Sequence, residues 1–544
     1  MKPQRITLFL VLSALVIFSV QLRSDVGPTY AIVNCTIVTG PGHSIENGAL
    51  VIRDGLIESV GVYEKTDIPE DAEVIQAEGM YIYPGFINAH TNLFFDSPRP
   101  TSSTQGGEQA EQKPDNRPGW HQADLKAFDK LRISKSVVEG LHQAGITTIL
   151  VAPEREIFAG QSVILNVHGE SKEAMVLKQP FGLHINFVTA RGEYPSSLMG
   201  TMALLRQSFL DTQHYTLHTS LFSKSKGGLK RPQYDPFLET LVPYVIDKKP
   251  VIFKCANQED IKRAIGLIEE FKLNGFLSGA NEAWRVSDRI KKADLPLFVS
   301  LDFTPPGTSV FVRQDEALKK KAEEEIYPAN ASNLYQDGIG FALTSLGLSK
   351  TSDLLKNVRK AIQAGLPEDE ALKAMTVYPA EFLGIGHLAG TLEAGKIANA
   401  VLTSGKIFDE KSNVQRIFVD GLSFEVKKPA PKAKASATDI SGKWDAVVSS
   451  PMGDMDMTIE FIQDGSDVTG SFDSEMGKWE IANGVLSGNE LTFDITATIM
   501  GETMDMAFSG KVEEDTLEGT ISFSEGTAEL KATKIPDKEH IEEK

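Results

Sequence analysis

The stretch Pro84–Phe95, PGFINAHTNLFF, governs how the rest of the chain is read. A Pro-Gly opening followed by an apolar run predicts a short buried strand over Gly85–Ala89. Side chains alternate along a strand, so Asn88, His90 and Asn92 are expected to share one face. A His-x-His pair on such a face would grip one cation from one side, because two neutral imidazoles would converge on it. Here the second position is the amide of Asn92. The strand has the layout of a metal pincer with one claw replaced.

Downstream, apolar runs alternate with amphipathic helical ones. Strands are expected at Ile146–Ala152, Ser162–Val167, Leu183–Val188, Val251–Cys255, Gly275–Gly279, Leu297–Leu301 and Gly340–Ser345. Helices are clearest at QEDIKRAIGLIEEF, where Ile261, Ile265 and Ile268 line one face, and at SDLLKNVRKAIQAG, with Ser352 as its cap and Gly365 as its stop. Buried strands interleaved with helices predict an α/β fold, a (β/α)8 TIM-like barrel over residues 83–394. No helix fits between the third and fourth strands, so one of them is expected in a hairpin outside the barrel. The Ser-, Gly- and Pro-rich segment 98–118 follows the first strand and would hang over the active face of such a barrel.

Both flanks read as short alternating strands, with turns at Pro41-Gly42, Asn47-Gly48 and Asp54-Gly55. Residues 28–82 and 395–427 are therefore expected to form one composite β-sandwich. Composition collapses to Lys, Pro, Ala and Ser over 428–438, a linker. Beyond it, 439–535 reads as a separate antiparallel β-barrel or sandwich. In that part Met455, Met457, Met504 and Met506 recur at two-residue spacing, a pattern that suits soft core packing or a thioether site for copper.

The chain has 544 residues, 41% of them hydrophobic, enough for large cores and several domains. A net charge of -19 argues against nucleic acid and anionic membrane surfaces as partners. Lys2 and Arg5 precede the apolar run Ile6–Val20, so residues 1–24 read as an export signal or an uncleaved N-terminal membrane anchor, with a periplasmic or extracellular address. Cys35 and Cys255 each lie in an apolar run and are expected as separate buried thiols.

From Ala31 to about Val426 the chain resembles the amidohydrolase superfamily, metal-dependent hydrolases related to imidazolonepropionase and dihydroorotase. The resemblance rests on IENGALVIRDGLIESVG, PGFINAH, AGITTILVAP, GQSVILNV, MTVYPAEFLGI and GTLEAGKIANAVL, in that order. It implies one or two divalent ions at the C-terminal mouth of the barrel. Their ligands would be a His-x-His on the first strand, a His on each of the fifth and sixth, and an Asp on the eighth that serves as general base. Some members add a bridging carboxylated Lys on the fourth. Such ions acidify a bound water and polarise the substrate carbonyl.

Carried over residue by residue, the pattern is depleted. His90 fills its position, Asn92 stands in the second, and Asn88 replaces a usual Asp. Lys254 occupies the fifth-strand His position, Ser278 and Gly279 the sixth, and Leu346 the place of the Asp. No metal or cofactor is expected on this reading, and His90 is the one ligand position retained. Lys254 is either neutralised by a nearby acid or replaces the ion and anchors an anionic or carbonyl-bearing ligand. His184 is expected to line one pocket with His90 and Lys254. His168 follows the third strand, and His214 with His218 forms a helical pair that lacks the Glu of a zinc motif.

Two functions follow. In the first, an exported relative binds a small molecule or protein partner at the barrel mouth with little or no hydrolysis. In the second, an active hydrolase of carbon–nitrogen bonds in amides, cyclic imides or dipeptides uses a site rebuilt around His90 and Lys254, with zinc or another divalent ion. The appended β domain suits partner binding or homo-oligomer formation in either case.

Overall fold

The computed structural model describes residues 27–95, 118–169, 171–190, 192–224, 228–304, 320–348, 350–426, 439–450, 453–474, 477–499, 502–523 and 526–535. The expected leader 1–24, nearly all of segment 98–118 and the linker 428–438 lie outside them. The chain divides into two units, Met1–Val426 and Lys427–Lys544. No described helix is long and apolar enough to cross a membrane.

Turn chemistry shapes the first sheet. Strands β1 (Tyr30–Gly40), β2 (His43–Arg53) and β3 (Leu56–Val62) form an antiparallel meander. The turn between β2 and β3 uses Asp54 at φ 50 and Gly55 at φ 79, the two positive values that a tight hairpin turn requires. Asn47-Gly48, expected as a turn, lies inside β2 instead. Asn47 has φ 45, and the pairing with β1 shifts register between Cys35↔Gly48 and Ile37↔Ile45, so the positive φ is absorbed in a bulge. A side chain at 48 would sit 2.5 Å from Ile37. Strands β4 (Glu73–Gln76) and β5 (Tyr81–Pro84) then run parallel to β1.

The middle of the chain forms two sheets, of four and six strands, which the continuous run 158–166 and side-chain bonds at Asn88 link into a ring. β6 (Phe86–Thr91) pairs in parallel with β7 (Ile146–Val151). β8 (Phe158–Gln161) and β9 (Val163–Asn166) are halves of one run broken at Ser162, and β9 pairs with β7 in the antiparallel sense. β10 (Val176–Lys178) borders β9. β11 (Leu183–Asn186) lies antiparallel to β8, and β12 (Pro250–Lys254), β13 (Asn274–Gly279), β14 (Leu297–Ser300) and β15 (Ala342–Thr344) follow in parallel. The third expected strand therefore runs against the other members of the ring. Segment 152–157 is too short for the crossover that a parallel third strand would need.

Alternation along these strands splits the core in two. Leu150, Ile164, Ile252, Phe276, Phe298 and Ala342 fill the inside of the ring. Their neighbours Ile149, Leu165, Val251, Leu277, Leu297 and Leu343 belong to a second apolar cluster, shared with helix residues such as Ile261, Ile265 and Ile268. The helix Gln258–Phe271 is started by Asn257, whose side chain accepts from the backbone of Glu259 and Asp260. Ser352, expected to cap the helix Asp353–Gln363, is itself helical and makes no capping bond; Gly365 does follow that helix's end, at φ +105.

Returning, the chain adds β16 (Ala400–Thr403), which pairs with β5, then β17 (Val414–Val419) and β18 (Leu422–Glu425). The expected sandwich is thus one eight-stranded sheet built from both flanks. It has Ile32, Leu50 and Ile52 in one apolar cluster and Ala31, Val33 and Val51 in another. In the second unit, strands β19 to β26, from Gly442–Ser450 to Gly526–Lys534, close an antiparallel barrel. Trp444, Phe461, Phe472, Phe493 and Phe508 fill it. Met457 belongs to that core and Met455 and Met506 pack against it, as soft packing requires; the side chain of Met504 lies outside the described set.

Candidate ligand site at the strand ends

Two residues beyond the apolar layer inside the ring, each parallel strand becomes polar. Lys254 follows Ile252, Ser278 follows Phe276, Ser300 follows Phe298 and Thr344 follows Ala342. Register places Lys254 beside Ser278 on one side and Asn186 on the other, and places His184 level with Ile252. His184 is therefore an imidazole in the apolar layer, one step below Lys254. That position explains its burial.

His90 reaches into the same space from β6. Its Nδ1 lies 2.6 Å from Ser278 Oγ, and its ring meets that of His184 edge to face at 4.8 Å between centroids. Ser278 is fully buried, so its hydroxyl hydrogen needs an acceptor. The hydroxyl can donate to Nδ1 or accept from Nδ1–H according to the tautomer, and either way the bond fixes the ring's orientation. His90 Nε2 and His184 Nε2 are both buried with no hydrogen-bond partner among the described residues. Burial, with His184 and Lys254 nearby, holds His90 well below the ordinary imidazole range. Burial and then Lys254 lower His184 to about 3.

The ammonium of Lys254 is tied at 3.2 Å to Glu154 Oε2, their side chains being 35% and 21% exposed. The nearby acid foreseen for Lys254 is therefore Glu154, just past β7. Asn186 Nδ2 donates to the backbone carbonyls of Glu154 and Glu156 at 2.9 and 2.8 Å, pinning that loop. Glu154 Oε1 is buried and has no partner among the described residues. Sequence reasoning missed this residue. Its one signal was an acidic residue directly after the AGITTILVAP run.

One other expectation needs correction. Asn92 lies beyond the end of β6 and is exposed, because the strand stops at Thr91 and alternation stops with it. Leu346 is buried just past β15, and the side chains that bond from this strand end to β6 are those of Thr344 and Ser345. Asn88 Nδ2 donates to Ser345 Oγ at 2.6 Å, while Asn88 Oδ1 accepts from Ser345 N at 3.0 Å and Thr344 Oγ1 at 3.1 Å. Asn88 thereby joins the first and last strands of the ring. His168 is not in the pocket: β9 runs antiparallel and carries it to the opposite rim, 3.9 Å from Asp420. His214 and His218 stand on the helix Leu198–Lys224 with ring centroids 6.0 Å apart. Cys35 and Cys255 are buried free thiols, Cys35 raised by burial to about 11.

A sequence profile of the Amidohydrolase family matches residues 310–430. Imidazolonepropionase from a Geobacillus species is 22% identical over 413 residues, 70% of this chain and 88% of that one. Imidazolonepropionase from Acinetobacter baumannii is 24% identical over 395 residues, covering 68% and 91%. Over most of its length the chain is similar to members of the amidohydrolase superfamily. Amidohydrolase tasK of Hapsidospora irregularis is 21% identical over 404 residues, 69% of this chain but 39% of its own length. The crystal structure of an amidohydrolase from Thermotoga maritima shares the fold, with a TM-score of 0.59 at 24% identity over 73% of this chain and all (100%) of that one.

The superfamily implies a divalent ion at these strand ends, and the residues present do not fit one. Among the described residues no group of three or more His, Cys, Asp or Glu is placed to hold a metal. The two imidazoles are accompanied by a hydroxyl, an amide and an ammonium, and the carboxylate of Glu154 is already engaged by that ammonium.

Proposed function

We propose that this amidohydrolase-superfamily chain is an exported protein whose strand ring, the family's (β/α)8 barrel with a reversed third strand, binds a small molecule at its mouth with little or no hydrolysis. The observation that carries this reading is the Lys254–Glu154 ion pair beside two neutral buried imidazoles. An ammonium stands where the superfamily pattern calls for a ligand, and it repels a divalent ion while occupying the carboxylate that would attract one. On this reading Leu346 stands where the superfamily pattern has its Asp, so the usual general base is not supplied, and the pairing of Lys254 with Glu154 disfavours the ion that would acidify a water.

A second reading is favoured by the unpaired His90 Nε2 and His184 Nε2 and by the imidazolonepropionase relatives. Here the chain is a hydrolase of carbon–nitrogen bonds in amides, cyclic imides or dipeptides, with a site rebuilt around His90 and Lys254. Under either reading the acidic surface disfavours nucleic acid, and the C-terminal barrel is a partner-binding or oligomer-forming module. Residues 1–24 direct export or anchor the chain. Metal analysis of the purified protein, with a screen of N-acyl amino acids, dipeptides and cyclic imides, separates the readings. Substoichiometric zinc and no turnover are expected. Stoichiometric zinc that is lost in His90→Ala, together with turnover, would overturn the first reading.

A further inference from the structure

The helix Leu198–Lys224 carries apolar side chains on two opposite faces. One face is buried: it holds Thr201, Leu205, Ser208, Phe209 and Thr212, with the ring of Phe209 edge to face against Phe158 and Phe271. On the other face Met199, Leu210, Leu217 and Leu221 are 83%, 51%, 58% and 46% exposed, and Ala203 is exposed among them. At about 100° per residue these five positions fall within about 40° of arc, so they line up as one straight stripe. Single exposed apolar residues need no explanation, but a stripe running the length of a helix does. None of residues 213–224 is buried. That half is rich in Thr, Ser, His, Tyr and Phe, which propagate a helix poorly, so it draws little stability from propensity or from a packed core.

The spacing of the stripe says what covers it. From 199 to 203, 210, 217 and 221 the steps are 4, 7, 7 and 4, a series that reads the same from either end and is centred on Leu210. Two copies of the helix laid antiparallel about a two-fold axis at Leu210 therefore set Met199 of one against Leu221 of the other, Ala203 against Leu217, and Leu210 against itself. An isologous contact demands this self-complementarity. The flanking polar residues raise no clash of like charges, since Gln207 falls opposite Gln213, and Arg206, tied to Glu270 at 2.8 Å, falls opposite His214. A lipid surface imposes no symmetry on a stripe, and an amphipathic helix bedded in an apolar medium shows an apolar arc of about 100° or more.

We propose that the chain forms a two-fold dimer in which the helices Leu198–Lys224 of two copies lie antiparallel and cross at Leu210. A helix of this length is about 40 Å long and about 10 Å across, so one face offers about 400 Å² per copy, half of the about 800 Å² per partner in a standard stable interface. The dimer is therefore weak and exchanges with monomer in the micromolar range.

Sedimentation velocity on the full mature chain across micromolar concentrations reads the equilibrium. The mass is expected to rise from monomer to dimer, and Leu210→Glu, which sets two like charges face to face on the axis, should weaken association at least about tenfold with the helical circular dichroism unchanged. Single cysteines then test the geometry, because Cys35 and Cys255 are buried and do not compete. Leu210→Cys chains should join to one another through a short bis-maleimide linker. Met199→Cys chains should not, since each such position lies about 16 Å from the axis and about 33 Å from its own copy. Leu221→Cys chains should not self-link either, yet a mixture of the two should. These positions are exposed in the single chain, so the cross-links stand even if Leu210→Glu fails to fold. A chain that stays monomeric throughout, a dimer that Leu210→Glu leaves intact, no linking at position 210, or self-linking at 199 or 221 in place of the mixed product would overturn the proposal. A monomer that floats with anionic vesicles would overturn it too, the stripe then being a lipid contact.

Discussion

Two neutral imidazoles buried in one pocket make the larger unit sensitive to acid in a way that can be calculated. Folded His184 stays neutral down to about 3, against an ordinary value of 6.5. The unfolded chain takes up that proton near the ordinary value, so it binds more protons than the folded chain throughout the window between them. Stability must then rise with pH across the window and fall as the solution is acidified from 6.5 toward 3. The unfolded imidazole is half protonated at pH 6.5, so over the first two pH units of that fall His184 alone costs about 2 kcal/mol, somewhat less than the limiting value of about 1.36 kcal/mol per unit. His90, lowered by the same burial, adds a loss of the same sign. The perturbation that isolates the effect is His184→Met, which fills the space without a titrating group. Urea unfolding is followed at the helical circular-dichroism signal, because the described helices all lie in the larger unit and the C-terminal unit is built of strands. Relative to the parent, the variant should gain about 2–3 kcal/mol at pH 4.5 compared with pH 6.5, while carboxylates common to both proteins cancel in the difference. An identical pH slope in parent and variant would refute the claim that His184 is buried and uncharged.

Two further outcomes follow from the closure of the ring. Asn88→Ala removes the three bonds to Thr344 and Ser345 and leaves the buried Ser345 N–H unpaired, so the larger unit should lose about 2–4 kcal/mol in the same urea assay while the C-terminal barrel melts unchanged in calorimetry. Gly347 has φ +89, and a Cβ there would sit 2.7 Å from Asp302 Oδ2; Gly347→Ala should therefore cost about 1–3 kcal/mol, and a loss below about 0.5 kcal/mol would show that Asp302 moves aside freely.

What the sequence made legible depended on how far each inference had to travel along the chain. His90, His184 and Lys254 could be grouped as candidates because each lies on a strand, but the face of His184 was left open, and the pairing of β11 with β12 is what sets it level with Ile252. Asn92 sits one residue past the end of its strand, so the rule that placed His90 said nothing about it. The direction of the third strand was hidden because an apolar run has no polarity; only the short connection before it carried that information. Glu154 was hidden for the same reason, since the loop that holds it is pinned by Asn186, on a strand that the reversed one brings alongside. The bonds from Thr344 and Ser345 back to Asn88 were hidden too, because they run through side chains that leave no mark on hydrophobic pattern.

These departures from the superfamily's ligand set are coupled, which bears on how the site is to be altered. Lys254 and Glu154 compensate each other, and a partly buried charge whose partner is removed is left to be desolvated alone. Lys254→His by itself would supply a third imidazole but strand the Glu154 carboxylate, and Ser278 would still hold His90 through Nδ1. Asn88 meanwhile is committed to strand closure, so an acid in its place would trade a donor to Ser345 Oγ for a buried charge. Changes at Lys254, Ser278 and Asn88 are therefore coupled to their partners Glu154, His90 and Ser345, and a single substitution at any of them leaves a partner unmatched.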